Sequence, residues 1–406
     1  MVYKQVKLKK IWLVWILTVV LSLQAAACAL LQGEEYRADP KAKVVFRVED
    51  DTGIAKAQLD PQETLLYDEI DLQLQNYADK ISVGLDEYSD ETIVKVYFYV
   101  LIDHPEYFWL RDAYLLKTAT SLFDRKKVLE PFYAIPRDEI DACKERVERV
   151  RDEILQAVEA MPSDYEKLLY IHDYIVSTTR YDTEAYTDID TETPSARSLE
   201  STTAYGVLIN KWALCGGYAK AFQYLAEAAG IRCTTVTGHK KDGESHIWNI
   251  VVLDGDCYYV DVTWDDPVSI VDDAAFDDKG EIFYNYFCIT EKELLKTHII
   301  DGEQNIAIPG CTAVKYNYFI YHNAYLETYT LRAAAEIIKT AASAAQKMAY
   351  LKFAEAEAMD LAIKELFGER EIFEILADAG CETGTASYSR DDEHYILTVD
   401  FGYGYV

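Results

Sequence analysis

A cysteine at the start of a predicted helix is the first candidate for chemistry. Residues 215–222 read CGGYAKAF, and the apolar residues that follow repeat at helical spacing as far as Gly230, a residue type common just past a helix end. Cys215 therefore falls at the helix N-terminus, where free N–H groups and the helix dipole favour a thiolate. We expect the N–H of Cys215 to help hold an oxyanion and Gly216 to let an acyl group approach closely.

A histidine and an aspartate follow on two strands that are predicted to form a β-hairpin. The two strand-like stretches flank Asp254-Gly255, a dipeptide typical of a two-residue turn. A turn of that length makes His246 and Asp261 diagonal neighbours on one face of the hairpin. A slip of one residue in the pairing would put them on opposite faces.

Together these three side chains suit nucleophilic catalysis at a carbonyl. The thiolate of Cys215 would attack, His246 would transfer the proton, and Asp261 would fix the orientation and tautomer of the imidazole. A buried cysteine is usually inert, and a histidine on a strand is more often a core residue. The prediction therefore depends on the combination of all three in this chain order.

The same segments resemble the core of the transglutaminase-like superfamily, which has a papain-like fold. That family places a helix-cap cysteine in C-x-GYA-x-AF, a histidine in H-x-WN and an aspartate in D-x-TW, which match Cys215, His246 and Asp261. The likeness covers roughly residues 60–300, and DHPEYFWL at 103–110 is similar to bacterial extracytoplasmic members. The resemblance implies a cysteine protease or acyltransferase that forms a thioester on peptide or glutamine-type amide bonds.

Three further residues are candidates for lining the site or assisting the oxyanion. Tyr205 precedes the cysteine, Gly216 follows it, and Trp264 lies just beyond the aspartate. A packing role for Tyr205 is an equally good interpretation.

We predict no metal ion and no other cofactor. His239 and His246 with Asp261 are conceivable zinc ligands, but the chain contains no C-x-x-C or H-E-x-x-H pattern. An acidic stretch at 272–281 could attract calcium, but it lacks the ligand spacing and the glycine of an EF-hand. A solvated loop is the better interpretation of that stretch.

The elements that must position these residues predict an α+β fold. It would consist of a papain-like transglutaminase core, an N-terminal helical region and a small C-terminal α/β domain. We place the mainly helical region at 60–178, the catalytic core at 179–325 with the helix at 165–178 packed on it, and the α/β domain at 326–406. Residues 179–204 are rich in Thr, Ser, Asp and Glu, which predicts a long functional or mobile loop.

The N-terminus has the layout of a secretory signal peptide. Lysines precede a short apolar run at Ile11–Leu23, which small residues follow, and the run is too short to span a bilayer comfortably. We predict a signal peptide at 1–27 and a tether at 28–59. Cys28 resembles the lipidated residue of bacterial lipoproteins, although Ala25 stands where leucine is usual. Lipid anchoring at the outer face of the membrane and simple secretion are the two alternatives.

The composition limits the partners. The 406 residues include 40 Lys+Arg and 70 Asp+Glu, a net charge of −30. Nucleic-acid binding is excluded because phosphate contacts require clustered Lys and Arg. The predicted partner is a protein or peptide substrate, and hydrolysis is favoured over crosslinking because no acceptor site is recognisable. A non-catalytic cell-surface module that binds wall peptide, glycan or protein is the alternative.

Overall fold

The part of the chain described by the computed structural model comprises residues 53–82, 84–120, 125–266, 282–302, 306–381 and 384–402. The predicted signal peptide, Cys28 and most of the predicted tether lie outside these ranges. Among the residues described, no helix has the length and apolarity needed to cross a bilayer.

The N-terminal region consists of helices and one β-hairpin. Its main elements are α1 (Pro61–Gln75), α2 (Asp90–Asp103), β1 (Leu110–Thr120), β2 (Arg125–Tyr133), α3 (Ile140–Glu159) and α4 (Asp164–Thr178). The β1–β2 hairpin is an element that the sequence analysis did not predict. Most side chains of these two strands are half-buried or exposed. Because neither face of the hairpin is fully buried, its strands do not need the strict alternation of apolar and polar residues by which a strand is recognised in a sequence.

The stretch at 179–204 is folded, so the predicted long loop is wrong. It contributes β3 (Arg180–Tyr181), α5 (Thr183–Asp188) and α6 (Ala196–Ser201), and β3 pairs in parallel with β4 (Trp212–Ala213). The buried carboxylate of Asp182 caps α5 and accepts hydrogen bonds from Arg197 and Ser201. The polar composition that suggested a loop therefore supplies helix caps and buried hydrogen bonds.

The core combines one long helix with a five-stranded antiparallel sheet. The helix is α7 (Cys215–Ala228), and it packs on β5 and β6. The sheet has the order β8–β7–β6–β5–β9, with β5 (Cys233–Lys240), β6 (Ser245–Leu253), β7 (Asp256–Val260), β8 (Phe287–Ile289) and β9 (His298–Ile300). In the chain, a short helix, α8 (Glu291–Leu294), follows β8 and precedes β9. Leu253 pairs with Asp256, which confirms the predicted hairpin register.

The N-terminal helices and the sheet share one hydrophobic core. Buried residues of that core include Leu66 on α1, Leu168 on α4, Phe222 on α7 and Trp248 on β6. The predicted division at residue 178 therefore does not separate two cores. Because α4 packs against α7, the N-terminal region directly supports the helix that carries Cys215.

The C-terminal region has a separate α/β core. A short helix, α9 (Tyr318–Tyr321), leads into a sheet with the order β10–β11–β13–β12. Its elements are β10 (Tyr325–Leu326), α10 (Leu331–Ser343), β11 (Met348–Phe353), α11 (Ala356–Ile363), α12 (Glu371–Asp378), β12 (Ser387–Asp391) and β13 (Ile396–Asp400). A second hydrophobic cluster fills this region. The architecture confirms the predicted α+β class.

Candidate active site

Cys215 is the first residue of α7 and is half-buried. The residue before it, Leu214, is the N-cap, and its carbonyl oxygen accepts hydrogen bonds from the N–H of Gly217 (2.8 Å) and Tyr218 (3.2 Å). The N–H groups of Cys215 and Gly216 therefore lie before the first N–H group that donates within the helix. Donors in that position suit an oxyanion that forms beside the sulfur.

The two glycines after the cysteine are explained by close packing. A Cβ atom on Gly217 would lie 2.5 Å from the carbonyl oxygen of Ser201, and one on Gly216 would lie 3.0 Å from that of Thr202. Leu214 N–H also donates to the Ser201 carbonyl at 2.8 Å. The glycines thus let the backbone after α6 approach α7. Close packing is a different reason for the glycines from the predicted one, which was the approach of an acyl group. The role of Gly216 in lining the site stays a prediction.

His246 and Asp261 form a buried pair. His246 Nε2 lies 2.6 Å from Asp261 Oδ2, and the imidazole also interacts electrostatically with the Cys215 side chain. Burial opposes a charge on the imidazole, but the charge and hydrogen bond of Asp261, with a smaller contribution from Cys215, raise the pKa of His246 to about 10. This arrangement favours an imidazolium that faces the sulfur.

The carboxylate of Asp261 is held at both oxygens. Oδ1 accepts hydrogen bonds from the backbone N–H of Thr263 (3.0 Å) and Trp264 (3.2 Å). Oδ2 faces His246, and it also lies 3.1 Å from Nε2 of His298. Burial alone would raise the pKa of Asp261, but the charge of His246 and the hydrogen bonds from both histidines hold it well below its ordinary value. Asp261 is therefore a fixed anion.

Two buried hydrogen bonds join the elements that carry the triad. Asn249, on the same strand as His246, donates through Nδ2 to the carbonyl oxygen of Ala219 on α7 at 3.0 Å. The hydroxyl of Tyr218 on α7 donates to Asp266 Oδ2 at 2.6 Å, in the turn that follows Asp261. The nucleophile helix is thus tied both to the histidine strand and to the aspartate turn.

Comparison with known proteins agrees with this geometry. Residues 152–262, which contain the cysteine, the histidine and the aspartate, match the family model described as the transglutaminase-like superfamily. This segment is a transglutaminase-like domain.

Two curated relatives match parts of the chain. Kyphoscoliosis peptidase of Mus musculus is 27% identical over 176 residues, which are 40% of this chain and 25% of that protein. The Homo sapiens protein of the same name is 32% identical over 102 residues, 22% of this chain and 15% of that protein. The chain thus spans a quarter or less of the length of these relatives. A solved structure described as a TGase matches with 14% identity and a TM-score of 0.28, covering 37% of this chain and 44% of that one.

A second buried histidine–aspartate pair supports the transglutaminase-like site. His172 lies on α4, and Asp265 lies in the turn after Asp261. His172 Nε2 lies 3.2 Å from Asp265 Oδ2, and Asp265 Oδ1 accepts a hydrogen bond from Tyr286 N–H at 2.9 Å. Although burial opposes the charge of His172, the hydrogen bonds that its ring donates to Asp173 and Asp265 raise its pKa to about 9. The pair anchors the turn after Asp261 to the helical region.

The predicted lining residues separate into two groups. The Trp264 ring lies beside the histidines of the transglutaminase-like site, with centroid distances of 6.0 Å to His246 and 4.6 Å to His298. Tyr205 is occupied elsewhere, because its ring stacks on Phe108 at 5.6 Å and its hydroxyl accepts a hydrogen bond from Arg146. The packing interpretation of Tyr205 is therefore the one that its contacts support.

His298 is a site residue that the sequence analysis missed. It is the first residue of β9, whose partner in the sheet is β5 rather than the strands that carry His246 and lead to Asp261. This neighbourhood arises from long-range strand pairing, so no spacing rule predicts it. The only available signal was its position near the end of the resembling span, roughly residues 60–300.

Within the described residues, His246, Asp261 and His298 form one group that could hold a metal ion, with donor atoms within 4.8 Å of one another. Both histidine nitrogens lie at hydrogen-bond distance from the same carboxylate oxygen, so a hydrogen-bond network accounts for the arrangement without a metal. His239, weighed above as a zinc ligand, pairs instead with Asp301 at 2.8 Å. The acidic stretch 272–281 lies outside the described residues.

Proposed function

We propose that this chain is an extracytoplasmic cysteine hydrolase or acyltransferase that acts on peptide or glutamine-type amide bonds. The observation that carries the proposal is the position of His246 between Cys215 and Asp261, with the carboxylate 2.6 Å from the imidazole. The buried anion favours the imidazolium, and the imidazolium in turn favours a thiolate at the N-terminus of α7.

The reaction would proceed through a thioester. The sulfur of Cys215 attacks the carbonyl carbon, and the oxyanion that forms is held by N–H groups at the start of α7. His246 gives its proton to the leaving nitrogen, the C–N bond breaks, and an amine or ammonia departs. His246 then takes a proton from water or an acceptor amine, which attacks the thioester and releases the thiolate.

Hydrolysis is the favoured outcome of the second step. Water needs no dedicated binding site, whereas crosslinking requires a site for the acceptor amine. The two curated relatives are named peptidases, which supports the same choice. The extracytoplasmic location, and anchoring through a lipid on Cys28, are part of the proposal and are supported by the sequence of residues 1–28 alone.

Product analysis by mass spectrometry tests the proposal. Cell-wall peptides and surface proteins are incubated separately with the wild-type protein, with Cys215→Ala and with Cys381→Ala, in which a buried cysteine of the C-terminal core is replaced. We expect amide bonds to be cleaved by the wild type and by Cys381→Ala, and to stay intact with Cys215→Ala. Identical product profiles for all three proteins would contradict the proposal and favour the non-catalytic binding module.

A further inference from the structure

We propose that His298 is a positioning residue of this site: a neutral imidazole that donates its Nε2–H to Asp261 and holds this carboxylate against His246. The inference rests on the proposed function because it assigns a role within the same site. The assignment would turn the triad into a linear arrangement of four groups, Cys215, His246, Asp261 and His298.

The contacts of His298 favour this role over simple packing. Its side chain is buried, and its Nε2 lies 3.1 Å from the Asp261 oxygen that His246 approaches to 2.6 Å. The rings of Trp248 and Trp264 pack around it at centroid distances of 4.8 Å and 4.6 Å. An apolar side chain of similar size would keep these ring contacts. It would leave the buried carboxylate without one of its hydrogen-bond donors.

The hydrogen bonds around His298 favour the tautomer that carries its hydrogen on Nε2. Nδ1 lies 2.8 Å from Thr297 Oγ1, and the hydroxyl of Tyr286 donates to that same oxygen at 3.3 Å. Thr297 can donate its own hydrogen to the Leu294 carbonyl at 3.3 Å or to the closer Nδ1. Donation to Nδ1 leaves the ring hydrogen on Nε2, where it meets the carboxylate.

The surroundings keep His298 neutral. Burial lowers its pKa, and the charges of His246 on β6 and His394 next to β13 act in the same direction, whereas Asp261 opposes them. A neutral donor satisfies Asp261 without adding a second positive charge, which would compete with His246 for the same oxygen. The resting site then holds one imidazolium, one neutral imidazole and one carboxylate.

Paired variants separate positioning from packing. His298→Leu removes the donor, whereas His298→Gln restores an N–H group at nearly the position of Nε2. The readout is the rate at which iodoacetamide alkylates Cys215 as a function of pH, which requires no substrate. We expect His298→Leu to lower the rate at pH 7 about tenfold, as for loss of a hydrogen bond to a charged group, and to shift the profile to higher pH. His298→Gln should recover most of the rate, and His322→Gln should match the wild type.

The tautomer is tested by ¹⁵N NMR of histidine-labelled protein. We expect a neutral His298 ring with its hydrogen on Nε2 at pH 7, and the same tautomer in Thr297→Ser, which keeps the hydroxyl. An imidazolium, or a hydrogen on Nδ1, would overturn the inference whatever the activity of the protein.

Two other results would also overturn it. If Cys215 is activated in the wild type and His298→Leu reacts at the same rate, His298 does not position Asp261, and the proposed function stands. If the purified protein retains one equivalent of zinc that both His298 variants lose, His298 is a metal ligand. If Cys215 of the wild type is not activated, the proposed function fails, and the NMR result alone decides the role of His298.

Discussion

The side chain of Asn249 and the backbone of Ala219 form the hydrogen bond that joins the histidine strand to the cysteine helix. Nδ2 of Asn249 lies 3.0 Å from the Ala219 carbonyl oxygen, and both residues are buried. Asn249 follows His246 by three positions on β6, and Ala219 lies about one helical turn after Cys215. The Asn249 side chain therefore connects β6, which carries His246, to α7, which carries Cys215, and helps to set the distance between these two residues.

Asn249→Leu should loosen that connection. We expect the free energy of unfolding to fall by about 1–3 kcal/mol, because the Ala219 carbonyl loses a partner in the interior, and the alkylation rate of Cys215 to fall about tenfold. Urea denaturation and iodoacetamide kinetics measure the two effects. Asn76→Leu is the control, because the exposed Asn76 makes the same kind of bond to the Leu72 carbonyl. Equal effects in both variants would show that the link is not specific to the site.

Tyr218→Phe should destabilise the protein through the aspartate turn. The variant removes the hydroxyl that donates to Asp266 at 2.6 Å in the interior. We expect the free energy of unfolding to fall by about 1–3 kcal/mol, as for loss of a hydrogen bond to a charged group. Tyr165→Phe is the matched control, since the buried Tyr165 hydroxyl has no hydrogen-bond partner among the described residues. No difference between the two variants would argue against the link.

The triad itself could be predicted from the sequence because its determinants are local. The Asp254-Gly255 turn fixes the hairpin register, and Cys215 is placed by the start of a helix, so both depend on residues near in the chain. His298 could not be placed, because its strand joins the sheet through pairing with β5. The buried polar contacts of Asp182 were also missed, since a capping aspartate and a loop aspartate look alike in a sequence.

The pair formed by His172 and Asp265 should make stability depend on pH. The pKa of His172 is raised to about 9 in the folded protein, above the ordinary value of 6.5. Burial raises the pKa of Asp265 to about 6, so the ion pair is formed at pH 6.5. The stabilisation from the charged form of His172 is lost as the pH rises from there through about 9. We expect the difference in unfolding free energy between wild type and His172→Gln to shrink by about 1–3 kcal/mol across this interval. Urea titrations at several pH values measure it, and a constant difference would contradict the assignment.

Asp261→Asn should uncouple the imidazole from its anion. The substitution keeps the shape of the side chain but removes the charge, which favours protonation of His246 more than any other group does. We expect the pKa of His246 to fall and turnover to drop by about 10³–10⁴-fold, the order seen when a triad carboxylate is neutralised. Histidine NMR titration measures the first effect, and peptide cleavage assays measure the second. Asp254→Asn, in the exposed hairpin turn, should change neither.

The central claim is that Cys215 is an activated thiolate, and selective alkylation tests it most directly. The protein is treated with limiting iodoacetamide at pH 6–7, and the adducts are mapped by mass spectrometry. The half-buried Cys257, whose pKa is lowered by a hydrogen bond with Cys311, is a stringent internal reference. We expect Cys215 to be modified well ahead of Cys257, and this preference to disappear in His246→Ala. Modification of Cys215 no faster than that of Cys257 in the wild type would contradict the account.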